Sequence, residues 1–251
     1  MFGELLGPQY LKWLFDGFVL TVALSVVVCL VATALGFLVC LARLSGSRWL
    51  AWPARSYLAL LRNTPLLVQL FFWYFGVTAL LPEDLVSWLN LPHDVSIAGV
   101  TLTWPSFEFI AGFWGLTLYT SAFIAEEFRA GVASVRARVA SVRAQQREAG
   151  LAMGLRPAQV WRYVVLPQAL RTALGPLLGQ YMNALKNSSL TMAIGLAELS
   201  YASRQVETET FKTFQVFGFA TLLYIFSIAL IEAAGQWIRQ TQRYRYRQGA
   251  A

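Results

Sequence analysis

Residues with the chemistry for catalysis or metal binding are scarce in this chain of 251 residues. It has a single histidine, His93, and two cysteines, Cys29 and Cys40, which share one apolar segment. The cysteines are typical of small core or lipid-facing residues, and the chain offers no metal-ligand cluster or Ser–His–Asp set. It also lacks a Gly-x-x-x-x-Gly-Lys-Ser/Thr phosphate loop. We therefore expect no metal or cofactor in this chain, and no ATP hydrolysis by the chain itself.

The most unusual chemical group is a lysine inside an apolar segment. Lys186 is the only charged residue between positions 172 and 197. A charge at the centre of a membrane-spanning helix costs about 2.5–3.5 kcal/mol, so Lys186 is expected to face the bundle interior and to have a partner. Two interpretations remain open. Lys186 and the polar residues after it line a path for a substrate carboxylate, or Lys186 forms a structural pair with Glu126 or Glu127.

The composition indicates an integral membrane protein. Charged residues make up 13% of the chain and hydrophobic residues 57%, whereas a soluble domain has about a quarter charged residues. The formal net charge is +7, which could indicate a nucleic-acid partner. That class is excluded because the arginines flank apolar runs instead of forming one basic domain.

Five charge-poor segments are long enough to cross a bilayer, which takes roughly 20 helical residues. Their backbones must be helical to satisfy their own polar groups. The first segment is too long, and its head too acidic, for a cleaved signal peptide. We predict an all-α integral membrane fold, with 1–251 as one domain and spans at 15–42, 57–81, 107–130, 169–197 and 213–238.

The distribution of arginines predicts the orientation of these spans. Most of the 20 basic residues follow the first, third and fifth spans, and the loop at 82–106 has acidic residues but no lysine or arginine. The positive-inside rule therefore places the N-terminus outside, the loop at 82–106 outside and the C-terminus in the cytoplasm.

The cytoplasmic loop at 131–168 has two notable parts. Residues 132–138 are repeated almost unchanged at 139–145, which is either a lengthened helix or a neutral duplication in a connector. Further along, Gly154 can take a left-handed backbone and end a helix, and Pro157 suits the first turn of the next helix. The second part is therefore predicted to be a helix, a glycine turn and a second helix at the membrane surface.

This second part resembles the EAA loop of bacterial ABC importer permeases. The motif begins at Glu148-Ala149-Gly150, with glycine in place of the second alanine, and continues through Gly154 to Val164-Val165-Leu166-Pro167. In that family the loop is the coupling helix that docks into a separate ATPase subunit. The alternative is an ordinary cytoplasmic helix–turn–helix. The resemblance implies the following docking residues: Glu148, Ala149, Gly150, Gly154, Leu155, Leu166 and Pro167.

Three further runs resemble the polar amino-acid branch of these permeases, the histidine/glutamine/glutamate type. They are Arg62–Gln69, Tyr119–Arg129 and Lys186–Leu190, and the resemblance covers roughly residues 15–240. Glutamate/aspartate permeases are the most similar group. On this basis the chain is expected to have the five-helix fold of type I ABC importers. The candidate residues of the substrate path are Gln69, Tyr119, Glu126, Glu127, Lys186, Asn187, Ser188 and Ser189.

The resemblance implies the transmembrane subunit of an ATP-driven importer that moves polar amino acids by alternating access. The implied partners are a second permease, identical or paralogous, two ATPase subunits that bind ATP and Mg, an external solute-binding protein and membrane lipid. The implied location is the bacterial inner membrane, in a multi-pass arrangement. Two alternatives remain: a secondary carrier with Lys186 and Glu126 or Glu127 as an ion relay, and a non-transporting membrane scaffold.

Overall fold

The computed structural model describes residues 6–91, 94–97, 100–103, 105–142 and 166–248, together with five positions between 154 and 163. Helical elements predominate in these residues. In chain order the elements are α1 (Pro8–Leu44), α2 (Arg48–Arg62), α3 (Leu66–Phe71), a π-helical turn (Phe72–Gly76), α4 (Glu83–Asn90), β1 (Asp94–Ile97), β2 (Val100–Thr103), α5 (Phe107–Val142), α6 (Leu166–Asn187), a 3-10 segment (Ser188–Ile194), α7 (Leu199–Thr210) and α8 (Thr213–Gln248).

Three helices of the described chain are long and apolar enough to cross a membrane. They lie within α1, α5 and α8, at Pro8–Leu44, Phe107–Ser134 and Thr213–Ile238. These helices include the first, third and fifth predicted spans. The match follows from uninterrupted apolar sequence, in which a helix is the only backbone that satisfies its own polar groups within a bilayer.

The helix expected through 57–81 is broken. α2 ends at Arg62, and the chain continues as a helix only from Leu66. Pro65 has an extended backbone, with φ −61° and ψ 138°, and its ring leaves no N–H for a continuous helix. The second predicted span is therefore interrupted at Pro65. Beyond the break, the continuous apolar helix is the short stretch Leu66–Gly76.

The helix expected through 169–197 also changes character near its end. α6 stops at Asn187, and residues Ser188–Ile194 form a 3-10 segment that ends at Gly195, where φ is +89°. The hydroxyls of Ser188 and Thr191 donate to carbonyls three residues earlier, at 2.7 and 2.6 Å. Such local bonds compete with regular α-helical geometry.

The prediction of helices alone missed a small hairpin in the loop at 82–106. β1 pairs with β2 in antiparallel register, with Asp94 opposite Thr103. The loop begins with α4 and then turns back on itself before α5. Short polar-flanked strands of this kind carry too little sequence signal to separate them from a loop.

α1 is the central helix of the bundle, and the core forms along its length. Leu14 packs with residues of α7 and α8, Leu24 and Val28 pack with α3 and α5, and Ala32 and Cys40 pack with α2, α5 and α6. α5 continues to Val142, beyond the predicted end at 130. This extension includes the first repeat and part of the second, so the repeat lengthens the helix.

Candidate functional site

The segment predicted to couple to an ATPase is described at a few positions. Gly154 has φ +78° and is exposed, and apart from its chain neighbours no atom of the described residues lies within 4 Å of the place where a Cβ would stand. The backbone there is left-handed, as the helix-ending role requires. Glu148, Ala149, Gly150 and Leu155 lie outside the described residues.

A helix start follows Gly154. The Arg156 N–H donates to Gln159 Oε1 at 2.8 Å, and the Gln159 N–H donates to the Arg156 carbonyl at 2.8 Å. This reciprocal pairing satisfies two N–H groups at a helix N-terminus, as a capping box does. Leu166 is half-buried at the first position of α6, with Pro167 next in its first turn. The chain therefore has a preformed turn at the centre of the proposed docking segment.

Glu126 is the centre of an ion-pair cluster. Its carboxylate accepts from Arg43 of α1 and from Arg129 one turn along α5, and Arg62 Nη1 at the end of α2 lies 3.3 Å from Oε1. Only 16% of the Glu126 side chain is exposed. Three cations around one carboxylate therefore fasten the ends of α1 and α2 to the middle of α5.

Glu127 has a different partner from its neighbour. Gln180 Nε2 of α6 donates to Glu127 Oε1 at 3.1 Å. The two adjacent carboxylates therefore face different helices, as expected from their separation of about 100° on a helix. Glu127 joins α5 to α6 through a neutral donor.

Lys186 is exposed and has no ion pair within the described part of the chain. The predicted structural pair with Glu126 or Glu127 is wrong, because Glu126 binds arginines and Glu127 binds Gln180. A lysine in this position needs a partner outside the chain or water.

The residues after Lys186 differ in their access to solvent. Ser188 is fully buried and donates to the Leu185 carbonyl at 2.7 Å, so it does not line a path. Ser189 and Asn187 are half-buried, and Ser189 Oγ donates to the Lys186 carbonyl at 2.7 Å. Of these three residues, Asn187 and Ser189 are therefore the ones with partly accessible side chains beside the exposed lysine.

Gln69 has a structural role at the broken second span. Its Nε2 donates to the Leu61 carbonyl at 2.9 Å and to Thr64 Oγ1 at 2.7 Å. The side chain is buried, and its Oε1 has no hydrogen-bond partner among the residues that the structure describes. Gln69 therefore caps the end of α2 across the break. Tyr119, the remaining path candidate, is half-buried with its ring 4.9 Å from that of Phe123.

The position of Glu198 at the predicted outer face favours a solvated carboxylate or a contact with a substrate-delivering protein, but in the structure it is the most buried carboxylate of the described residues. Glu198 is 0% exposed, accepts from the N–H groups of Ser200 and Tyr201 at the start of α7, and accepts from Tyr224 of α8 at 3.0 Å. Thr21 of α1 lies 3.2 Å away. Burial raises the pKa of the Glu198 carboxyl, and these hydrogen bonds oppose the rise. Glutamate is an uncommon N-cap residue, so the sequence around Glu198 does not predict that it caps α7.

A cleft of about 920 Å³ lies between α1, α6 and α8. Its walls are largely apolar, and its few polar side chains are Ser25, Thr33, Tyr181 and Ser227. Lys186 and Asn187 do not line it. The cleft is therefore suited to apolar groups and not to a zwitterionic ligand. Within the described residues no three His, Cys, Asp or Glu side chains are grouped to hold a metal.

Comparison with known proteins identifies relatives along most of the chain. The family model described as "Binding-protein-dependent transport system inner membrane component" matches residues 32–247. The glutamate/aspartate import permease protein GltJ of Escherichia coli (strain K12) is 32% identical over 222 residues, 88% of this chain and 84% of the relative. The probable glutamine ABC transporter permease protein GlnM of Bacillus subtilis (strain 168) is 34% identical over 210 residues, 84% of each chain.

Two solved structures have a similar fold. The crystal structure of an amino acid ABC transporter with histidines matches with a TM-score of 0.74 at 24% identity, over 93% of this chain and 95% of that one. An inward-facing structure of the MetNI methionine ABC transporter matches with a TM-score of 0.69 at 19% identity, over 94% and 99% of the two chains. At these identities the similarity concerns the fold.

Proposed function

Because the chain belongs to the family of inner membrane components of binding-protein-dependent transport systems, we propose that it is the transmembrane subunit of an ATP-driven importer of polar amino acids. The observation that carries this conclusion is the family match over residues 32–247. The curated relatives add the substrate class, since their names concern glutamate, aspartate and glutamine. Acidic amino acids are the first candidates.

The predicted fold of a type I importer permease is confirmed by the fold shared with two amino-acid ABC transporters. In this family the ATPase is a separate subunit, so this chain is not itself an enzyme. Family membership also implies a substrate-binding partner. We also propose that the chain crosses the membrane five times, with the orientation predicted from the sequence.

We propose a finer composition for the assembly. Two permeases, identical or paralogous, associate with two ATPase subunits that bind ATP and Mg, and an external solute-binding protein delivers the substrate in the bacterial inner membrane. ATP-driven closure moves the two segments at 148–167 together, and the permeases rock between inward-open and outward-open states. The support within this chain is the exposed left-handed turn at Gly154 and the capped helix start after it.

Lys186 is the proposed contact for the substrate carboxylate. Its support is an exposed charge without an ion partner from this chain in the described residues, followed by half-buried Asn187 and Ser189. A path between two permeases would supply the water or the anion that this charge requires.

Replacement of this charge should lower transport without loss of assembly. Lys186→Met is expected to reduce uptake roughly ten- to a hundredfold, since a hydrogen bond to a charged group contributes about 1.5–3 kcal/mol. Lys186→Arg, the matched control, should retain most of the uptake. The measurement is ATP-dependent uptake in proteoliposomes with the partner subunits, normalised to assembled complex. Equal uptake by the Met variant and the unaltered chain would exclude a substrate contact.

The proposed function itself is tested by uptake of labelled glutamate, aspartate, glutamine and histidine into proteoliposomes. We expect uptake of at least one only when ATP, the ATPase and the solute-binding protein are all present. Uptake that persists without ATP would favour a secondary carrier. The absence of uptake for all four, with the assembly intact, would contradict import of polar amino acids.

A further inference from the structure

α2 has one face on the protein and another without a protein partner. The buried residues Ala51, Ala54, Leu58 and Leu61 follow helical spacing and form a stripe that packs on α1 and α5. This stripe holds α2 against the bundle. The opposite surface of α2 does not take part in this packing.

The outward surface combines tryptophans with arginines. Trp49 is 90% exposed and Trp52 is 72% exposed, and Arg48 and Arg55 are also exposed. Tryptophan is enriched where a membrane meets water because one part of the ring is apolar and the N–H is polar. Basic residues together with tryptophan on one helix are typical of helices that lie in the membrane interface.

The charge of this region is one-sided. α2 contains three arginines and no acidic residue. Neither Arg48 nor Arg55 forms an ion pair within the described residues. At the far end of α2, Arg62 shares the single carboxylate of Glu126 with Arg43 and Arg129, which leaves a surplus of positive charge there as well. An anionic surface is the complementary partner.

The path of α2 fits a helix that runs across the bundle. Three residues separate the end of α1 from the start of α2, and the last residue of α2, Arg62, reaches the same carboxylate as Arg43 near the end of α1. Both ends of α2 therefore lie near the depth at which α1 ends. A helix of 15 residues in this position lies along the membrane surface, with a length of about 22 Å.

We propose that α2 is an in-plane helix of the cytoplasmic leaflet that binds anionic phospholipids. Arg48 and Arg55 bind lipid phosphates, and Trp49 and Trp52 insert between the headgroups and the acyl chains. Glu126 holds Arg62 and with it the end of α2 against α1 and α5. This lipid site is distinct from the proposed transport path and adds a dependence on leaflet composition.

The test compares lipid retention by the assembled complex. The complex is reconstituted in phosphatidylcholine with and without phosphatidylglycerol, and the phosphatidylglycerol that remains bound after detergent exchange is quantified. Each of Arg48→Gln and Arg55→Gln should lower retention about five-fold, the factor for one basic residue near an anionic surface. Arg204→Gln, an exposed arginine of α7, removes the same charge elsewhere and should have no effect.

Three results would overturn the proposal. Retention that falls equally with Arg204→Gln would show a non-specific charge effect. Retention abolished by inorganic phosphate at physiological ionic strength would indicate a site for a free anion instead of a lipid. Unchanged retention with loss of the ATPase subunit from the Arg55→Gln complex would assign the surface to a protein partner. Uptake by the unaltered complex tests the transport function separately.

Discussion

Two carboxylates with little exposure, Glu126 and Glu198, hold opposite halves of α1 by different chemistry. Glu126 is surrounded by Arg43, Arg62 and Arg129, so its negative charge is compensated by cations. Glu198 has only neutral donors in its described contacts: two backbone N–H groups, the Tyr224 hydroxyl and Thr21. Each carboxylate joins three helices, and α1 belongs to both sets.

The difference follows from where arginines are available. The Glu126 cluster uses arginines near the ends of the first three predicted spans, on the side that the positive-inside rule assigns to the cytoplasm. Glu198 lies on the side predicted to be external, where basic residues are few. A carboxylate buried there must use helix N-terminal N–H groups and hydroxyls, which favour the charged form less than a full cation does.

The largest expected effect is loss of the Glu126 carboxylate. Glu126→Ala leaves three arginines close together without their anion, and we expect a loss of about 3 kcal/mol in the free energy of unfolding, the lower end for breaking a buried pair. The matched control is Glu127→Ala, next in sequence, which loses only the bond from Gln180 and should cost about 1 kcal/mol.

The measurement for this pair is the thermal midpoint of the purified complex. A clearly lower midpoint for Glu126→Ala than for Glu127→Ala would show that the charge-paired contact stabilises the complex more than the neutral one. Equal midpoints would mean that the arginine cluster contributes nothing beyond a single hydrogen bond.

A smaller effect is expected at two glycines of α1, Gly36 near the Glu126 cluster and Gly17 beside Glu198, where α1 packs closely on another helix. A Cβ on Gly36 would stand 2.8 Å from the Ser121 carbonyl oxygen and from Ile124 Cγ2, whereas on Gly17 it would stand 3.0–3.1 Å from Ala202 and the Glu198 backbone. Gly36→Ala should therefore cost about 1–3 kcal/mol, and Gly17→Ala less.

The control for helix propensity is Gly218→Ala in α8, where nothing lies within 4 Å. It should be neutral or slightly stabilising, because alanine is a better helix former than glycine. Thermal midpoints of the three variants give the order. A Gly36 variant as stable as the Gly218 variant would contradict close contact between α1 and α5.

The smallest effect concerns the pH response of Glu198. Burial raises the pKa of this carboxyl above its ordinary value of 4.5, so the folded state binds the proton more tightly than the unfolded state does. Its contribution to stability is present below pH 4.5 and is lost as the pH rises through the raised pKa. Glu198→Gln, which cannot titrate, should remove this loss.

As the pH rises from acid to neutral, the thermal midpoint of the unaltered complex is therefore expected to fall relative to that of the Glu198→Gln variant. Glu198→Ala, which also cannot titrate but in addition removes the N-cap of α7, should be about 1 kcal/mol less stable than Glu198→Gln at every pH. A pH-independent difference for the Gln variant would mean that Glu198 does not carry a raised pKa.

Sequence reasoning predicted the long helices well because their signal is local. The charge-free runs in α1, α5 and α8 require a helix, and the spacing of the motif around Gly154 indicated the family. Pro65 predicts a helix start or a kink, but the sequence does not reveal that Gln69 caps α2 across the break. Glu198 was expected to be solvated, and the structure shows it buried. Its contact with Thr21 joins residues 177 positions apart, which hydrophobic patterning cannot reveal.

The central claim is that force from ATP hydrolysis enters this chain at the turn around Gly154, and one measurement tests it directly. Uptake per ATP hydrolysed is compared in proteoliposomes for Gly154→Ala and Gly46→Ala, since both glycines are exposed and, chain neighbours aside, no atom of the described residues lies within 4 Å of either Cβ position. Only Gly154 has a positive φ, so alanine there strains the turn by roughly 1 kcal/mol or more. The account predicts continued ATP hydrolysis with reduced uptake for Gly154→Ala and an unchanged ratio for Gly46→Ala. An unchanged ratio for both variants would contradict it.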